Sequence, residues 1–372
     1  MRVLVTGGGT GGHVNPALAI ANTIKANLPD SVIEYVGTSR GIENRLVAAA
    51  GYPMHHVEIQ GIRRSLSPSN IKTLYYIATA PGKAKRLIKE FRPDIVIGTG
   101  GYVCWPVIKA ASSLGIPTAL HESNAVPGVA VKALASNVDR IYINFEKTAE
   151  YLDCSSKVLH VGNPLMSEFA AISKEDARRA LGIEDKYRFV LLSYGGSLGA
   201  EKINEAMFSF MKNTVASHPE IYHIHASGSR GYEEMKRRLA GAGLDQCPNI
   251  ELTEYIYDMP QRMASSDVVV CRAGAMTVSE ISRCRKCAVF IPSPNVTNNH
   301  QYKNAKVRAD DGAALLFEES ALPGDFEAKL THLLSDEGSA ERASMGERIG
   351  RFAVPDANKR IFEDILKLTG KA

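Results

Sequence analysis

At 372 residues the chain is too long for one compact core, so two domains are the default. With 45% hydrophobic residues, 23% charged residues and 31 glycines it has the make-up of a globular protein rich in tight turns; no apolar run reaches the ~18–20 residues needed to span a bilayer. The net charge of +4 is small but uneven: residues 1–165 carry 17 Lys and Arg against 11 Asp and Glu, the remainder 27 against 29.

A short apolar run, Val3-Leu4-Val5, leads into Gly7-Gly8-Gly9-Thr10-Gly11-Gly12-His13 and then into apolar residues at helical spacing (Val14, Ala17, Leu18, Ala21, Ile24). Strand, glycine turn and helix form the half-unit that builds an anion site, because glycine lets the backbone approach a ligand and the helix start offers unpaired N–H groups. The spacing also matches a dinucleotide fingerprint, which requires an acid near the end of the second strand. That strand, Val32–Val36, ends in Gly37-Thr38-Ser39 without one. A phosphate cradle beside a histidine suits group transfer better than hydride transfer. Because a strand begins at residue 3, no secretory signal is expected, and the location is predicted to be cytoplasmic.

Further strands are predicted at 55–59, 94–98, 117–121 and 140–143, alternating with helices as in a parallel sheet covered on both faces. Ligands of such sheets sit beyond the carboxyl ends of the strands. Those ends here carry the first glycine loop, Gln60-Gly61, the second glycine turn Gly98-Thr99-Gly100-Gly101-Tyr102, and His121-Glu122-Ser123-Asn124. Between them, residues 61–92 hold eight basic residues (Arg63, Arg64, Lys72, Lys83, Lys85, Arg86, Lys89, Arg92) against Glu90, interleaved with Ile62, Leu66, Ile71, Leu74, Tyr75, Tyr76 and Ile77. The segment reads either as a solvated helix face with a core stripe or as an interfacial patch for anionic lipid.

Val161-Gly162-Asn163-Pro164 reads as a linker, after which the alternation restarts. Strand 189–193 enters Gly195-Gly196-Ser197-Leu198-Gly199-Ala200; strand 267–271 enters Arg272-Ala273-Gly274-Ala275-Met276-Thr277-Val278-Ser279-Glu280; His300-Gln301-Tyr302-Lys303-Asn304 opens a later helix. The tail, 357–368, is amphipathic through Ile361, Phe362, Ile365 and Leu366. The cysteines are scattered, and Cys284-Arg285-Lys286-Cys287 reads as core thiols flanking a turn. No Asp-x-Asp metal clamp occurs, so no protein-held metal site is read.

Taken in order, Gly8-Gly9-Thr10-Gly11-Gly12-His13, Gly100-Gly101-Tyr102, His121-Glu122-Ser123-Asn124, Gly195-Gly196-Ser197, the 271–280 segment and His300-Gln301 resemble the MurG family of bacterial peptidoglycan transferases through about residue 368. The resemblance implies an α/β GT-B fold, with two Rossmann-like doubly wound parallel-sheet domains facing across a cleft. It divides the chain into an acceptor- and membrane-binding domain at 1–162, a UDP-sugar domain at 163–350, and a last helix, 351–372, returning to the first domain. It also implies inverting transfer of N-acetylglucosamine from UDP-N-acetylglucosamine to the 4-hydroxyl of a muramyl sugar on a lipid-linked pentapeptide. The runner-up is a related UDP-sugar transferase with another lipid or natural-product acceptor.

By the same resemblance His13 matches the base, with His121 and Glu122 as the other candidates for that role. Glu280 matches the ribose carboxylate; Ser197, Gly274, Ala275, Met276 and Thr277 match the diphosphate site, with Arg272 beside them. Ile256 matches the backbone contact to uracil, and Gln301 and Asn304 match sugar-hydroxyl contacts. Thr10, Gly11, Gly12 and Asn124 line the donor's other side, while Gly9, Gly100, Gly101 and Tyr102 match the acceptor side. No tightly bound cofactor is expected, only a divalent cation accompanying the donor. The partners expected are the two substrates and an anionic membrane surface through 61–92, with no nucleic acid, at the cytoplasmic side of the membrane. Two departures stand out: Leu165-Met166 where relatives tend to carry an arginine, and Cys104-Trp105 in place of a small pair.

His13 suits a base because a helix N-terminus favours the neutral, proton-accepting imidazole. The alternative is a histidine that caps the helix or binds phosphate. For Arg272 the alternative to a leaving-group cation is a structural ion pair. A nicotinamide oxidoreductase lacks its acid, whereas a silent nucleotide-sugar binder is separated from an enzyme only by turnover.

Overall fold

The computed structural model describes residues 1–61, 69–170, 172–296 and 299–371. The chain divides into two compact units, Met1–Leu165 with Val354–Ala372, and Met166–Ala353.

In the first unit strand and helix alternate: β1 (Arg2–Thr6), α1 (Gly11–Asn27), β2 (Val32–Gly37), α2 (Glu43–Ala49), β3 (Met54–His56), α3 (Ser69–Phe91), β4 (Ile95–Gly98), α4 (Cys104–Ser113), β5 (Thr118–Glu122), α5 (Val129–Leu134), β6 (Arg140–Ile143) and β7 (Val158–His160). The strands form one parallel sheet in the order β3-β2-β1-β4-β5-β6-β7. β1 is buried on both faces, as a central parallel strand must be. Leu4 joins the layer built by Ala84, Ile88, Val107 and Ile108, while Val3 and Val5 join Ala17, Ile24, Ile361 and Ile365 on the other side. The predicted strand at 55–59 is instead Met54–His56: its partner β2 ends at Gly37, whose carbonyl takes the Val57 N–H as the last bond of the pair.

The second unit runs α6 (Lys174–Ala180), β8 (Phe189–Tyr194), α7 (Glu201–Asn213), β9 (Ile221–Ala226), α8 (Tyr232–Gly241), β10 (Ile250–Thr253), α9 (Met259–Ser265), β11 (Val268–Cys271), α10 (Ala275–Cys284), β12 (Cys287–Phe290), α11 (His300–Ala309), β13 (Leu315–Leu316), α12 (Phe326–Leu333) and α13 (Ser339–Gly350). Its parallel sheet has the order β10-β9-β8-β11-β12-β13. Val190 and Leu192 pack to one side, Phe189 and Leu191 to the other. The last helix, α14 (Ala357–Leu368), belongs to the first unit. Ile361 and Ile365 pack there with Ala17 and Ala21 of α1, and buried Asp364 accepts Arg140 Nε at 2.8 Å and the Tyr142 hydroxyl at 2.9 Å.

Each sheet reverses its winding next to its first strand, between β1 and β4 and between β8 and β11. Loops that leave the carboxyl ends of neighbouring strands on either side of such a point converge. The four glycine- and alanine-rich turns singled out in the sequence are those loops.

Candidate active site

Several backbone groups of the first loop have defined partners. The Gly8 N–H donates to the Gly100 carbonyl at 3.3 Å, joining the β1 and β4 loops, and the Tyr35 hydroxyl donates to the Gly7 carbonyl at 2.8 Å. Gly101 has φ +84°, and a Cβ there would lie 2.3 Å from the Gly8 carbonyl oxygen, so only glycine permits this approach. Gly11 and Gly12 open α1, which leaves their N–H groups outside the helix ladder. His13 follows in the first turn. Its Nδ1 lies 3.0 Å from the Gly8 carbonyl and 3.3 Å from the Thr10 hydroxyl. A carbonyl only accepts, so that partner assigns the proton to Nδ1 and leaves Nε2 as the basic nitrogen. Gly100 makes room for the ring, since a Cβ there would stand 2.9 Å from Nε2. Tyr102 is exposed and its ring lies over Gly61.

His121 and Glu122 do not share this position. The His121 ring is fully buried, donates from Nε2 to the Gly162 carbonyl at 3.1 Å, and is pushed down to about 4 by burial. It is a neutral core group and has no approach to an acceptor hydroxyl. Glu122 has both oxygens in use: Oε1 accepts the backbone and side-chain amides of Asn124 at 2.9 and 3.0 Å, and Oε2 accepts the Gly128 N–H at 2.8 Å. It shapes the loop that presents Asn124, so both side chains of the 121–122 pair, expected from the sequence as alternative bases, are engaged within the fold.

In the second unit, Gly196 and Gly199 have φ +96° and +86°, and a Cβ on Gly199 would meet the Ser227 carbonyl at 2.1 Å. This backbone contact, with the Ser229 N–H on the Ser197 carbonyl at 3.1 Å, fixes the Ser197 turn against the loop after β9. Gly274 is the N-cap of α10, and Ala275, Met276 and Thr277 form a first turn free of acids, a helix start suited to an anion. Ile256 sends its side chain into the core of the unit.

Glu280, on the second turn of α10, keeps part of its surface open, yet burial pushes its carboxyl up to about 7. Arg272 is held by Glu319 and donates to the Ile291 carbonyl at 3.0 Å, so its guanidinium is engaged within the unit. Gln301 accepts the Ser293 N–H at 2.9 Å, and Asn304 donates to the Ala273 carbonyl at 3.2 Å. Both therefore brace the loops around the α10 start.

Models of glycosyltransferase family 28 match both units, the N-terminal domain over residues 3–143 and the C-terminal domain over 190–361. The chain belongs to glycosyltransferase family 28. It is 40% identical over 371 residues, covering 99% of each chain, to the UDP-N-acetylglucosamine–N-acetylmuramyl-(pentapeptide) pyrophosphoryl-undecaprenol N-acetylglucosamine transferase of Acetivibrio thermocellus. The crystal structure of Acinetobacter baumannii MurG superposes with a TM-score of 0.72 at 29% identity, over 98% of this chain and 99% of that one. S. aureus MnaA, solved with UDP, has a TM-score of 0.71 at 14% identity over 100% and 98%, a likeness of fold.

For a family 28 chain the basic segment is informative. On α3 a buried stripe of Thr73, Ala80, Ala84, Ile88 and Phe91 faces the core, while Lys83, Lys85, Arg86 and Lys89 are exposed and Leu74 and Tyr75 are each 60% exposed. Ile62, Arg63, Arg64 and Leu66 lie outside the described residues, as do the side chains of Ile71 and Lys72. Among the described residues no helix is long and apolar enough to cross a membrane. All six cysteines are free; Cys284 and Cys287 lie on either side of the left-handed Arg285 turn, as read from the sequence. Sequence reasoning missed Glu319, far along the chain from Arg272, and it missed Glu43. Glu43, the first residue of α2, is buried against Thr38 and the Gly9 N–H, and Gly37 and Gly41 around it were the available signal.

Proposed function

We infer that this chain transfers N-acetylglucosamine from UDP-N-acetylglucosamine to the muramyl sugar of a lipid-linked, pyrophosphoryl-muramyl-pentapeptide acceptor in peptidoglycan synthesis, inverting the anomeric carbon. The observation that carries this is the match along the whole chain at 40% identity to a transferase of that name.

In this reading His13 Nε2 takes the acceptor 4-hydroxyl proton as the oxygen attacks the anomeric carbon, and UDP leaves. The Nδ1–H bond to Gly8 supports the role, because it holds the tautomer in which Nε2 is basic. The acid-free first turn of α10 supports diphosphate binding at Gly274–Thr277, with Ser197 opposite, and leaving-group charge is met there by N–H groups. Glu280 accepts the ribose hydroxyls, Ile256 reads uracil through its backbone, and Gln301 borders the sugar, while Asn304, expected from the sequence to contact it, is buried and braces the Ala273 loop from behind. Gly9, Gly100, Gly101 and Tyr102 shape the acceptor side. A divalent cation accompanying the donor is compatible with this scheme. The exposed Lys83, Lys85, Arg86 and Lys89, with Leu74 and Tyr75, support peripheral attachment to anionic lipid.

The test is UDP release from UDP-N-acetylglucosamine with and without lipid-linked muramyl-pentapeptide. Release that requires the acceptor is expected; release with a different lipid or natural-product acceptor, but not this one, would move the chain to the related transferase class. His13→Ala should lower turnover about 10²–10⁴-fold, the worth of a general base, with the donor Michaelis constant little changed.

A further inference from the structure

Glu43 is a fully buried carboxylate with no role in the scheme above. Three glycines make room for it. A Cβ on Gly41 would lie 1.8 Å from Oε2, one on Gly8 2.7 Å from Oε1, and one on Gly37 2.7 Å from Cγ. Oε1 accepts the Thr38 N–H at 3.1 Å and the Thr38 hydroxyl at 2.7 Å, and Oε2 accepts the Gly9 N–H at 3.1 Å. Burial alone would raise this carboxyl; its own backbone N–H, Thr38 and Gly9 together outweigh that and hold it below its ordinary value. It is therefore ionised at neutral pH.

The Gly9 N–H and the Gly8 carbonyl belong to one peptide group. On one side that group donates to Glu43, and on the other it accepts from His13 Nδ1 at 3.0 Å. A planar, delocalised peptide polarised by an anion at its N–H is a stronger acceptor at its oxygen. We propose that Glu43 is a positioning residue for the transfer reaction, linked to the His13 imidazole through the Gly8–Gly9 peptide as a carboxylate is linked directly to histidine in a hydrolase triad.

The acceptor hydroxyl proton goes to His13 Nε2, the other ring proton stays on Nδ1, which donates it to the Gly8 carbonyl, and the positive charge on the ring is stabilised through the peptide by the Glu43 anion. Glu43 itself takes no proton. Among the described residues, the titratable groups beside the pair are Tyr35 on β2, which donates to the Gly7 carbonyl, and Cys104 at the start of α4, which donates to the Gly100 carbonyl. Burial raises both, the thiol to about 12, so both stay neutral and add no charge of their own. The loop is also a poorer anion cradle than its glycines suggest, since one of its N–H groups already serves an internal carboxylate.

This inference rests on the assignment of His13 as base, and the experiment separates the two. Turnover across pH is measured for the full chain and for Glu43→Gln, Glu43→Asp, His13→Ala and the double variant, together with ¹⁵N NMR titration of His13. Glu43→Gln should lower turnover about ten- to a hundredfold, the scale for losing an outer partner of a functional histidine. Its donor Michaelis constant should be little changed. Its acidic rate limb and its His13 titration should both move to lower pH. Glu43→Asp, which keeps the charge, should retain more turnover, and Glu43→Gln should cost nothing further in the His13→Ala background. Additive losses in the double variant, equal losses in the two Glu43 variants, or an unmoved His13 titration would overturn the proposal. Near-normal turnover of His13→Ala would instead refute the base assignment, and the titration would still report whether Glu43 is coupled to the ring.

Discussion

The side-chain amide of Asn304 donates to the Ala273 carbonyl at 3.2 Å from a position with no solvent exposure. One bond thus joins the first turns of α11 to the loop that carries Gly274 and opens α10. Asn304→Ala would leave a buried carbonyl without this donor, at a cost of about 1–3 kcal/mol. Melting of the second unit should fall by roughly 2–10 °C, and the Michaelis constant for UDP-N-acetylglucosamine should rise with it. Differential scanning calorimetry showing an unchanged transition would sink the bracing role.

If Glu280 accepts the ribose hydroxyls as proposed, donor binding should be sensitive to pH, because the diol donates to the ionised carboxylate while burial holds the free group up to about 7. Between pH 8 and pH 6 such a group falls from about nine-tenths to about one-tenth ionised, so affinity should drop roughly tenfold. The sugar diphosphate itself does not titrate in that range, which leaves the protein as the source. For stability the sign is opposite: the folded carboxyl keeps a proton that the unfolded chain releases, so this contribution is present below about pH 4 and lost as pH rises through 7. Titration calorimetry at pH 6, 7 and 8 tests the binding effect, and Glu280→Gln should abolish the slope. A slope surviving in that variant would remove Glu280 from the ribose.

Much of this arrangement could be read in the sequence, because buried parallel strands and glycine turns are written locally. Val3-Leu4-Val5 and Val268–Cys271 are apolar runs bounded by turn residues, and the converging loops follow from strand order. What escaped was set by residues distant in the chain. Whether His121 faces ligand or core depends on Gly162, 41 residues away. The engagement of Arg272 depends on Glu319. Glu43 escaped because one of its partners, the Gly9 N–H, lies 34 residues away.

The basic face of α3 predicts salt-sensitive lipid binding. Lys85 and Arg86 are exposed beside Lys83 and Lys89. Each such charge near an anionic bilayer is worth roughly fivefold in partitioning, so Lys85→Gln with Arg86→Gln should weaken binding about 30-fold. Flotation with vesicles rich in anionic lipid, at low and high salt, measures this. Binding indifferent to both lipid charge and salt would contradict the patch.

The last prediction concerns acid stability. His223 and His225 stand two residues apart on β9, so both face the same side, and the Ser193 hydroxyl of β8 lies between them at 2.7 and 2.8 Å. A hydroxyl can donate to one ring and accept from the other, which accommodates two neutral imidazoles. Both rings are fully buried, and their outer nitrogens, His223 Nδ1 and His225 Nε2, have no hydrogen-bond partner among the described residues. Burial pushes His225 down to about 4 and His223 well below its usual value, with its neighbour His225 adding to the effect. In the unfolded chain both rings titrate near pH 6.5. As pH falls below that value the unfolded state gains protons that the native state refuses, so stability is lost between about pH 6.5 and pH 4. The slope from the pair reaches at most about 2.7 kcal/mol per pH unit. Urea unfolding of the second unit at several pH values should show this slope, and His223→Gln or His225→Gln should each reduce it by about half, whatever the variant does to stability at neutral pH. An acid slope identical in both variants and the parent chain would show that the protons are taken up elsewhere.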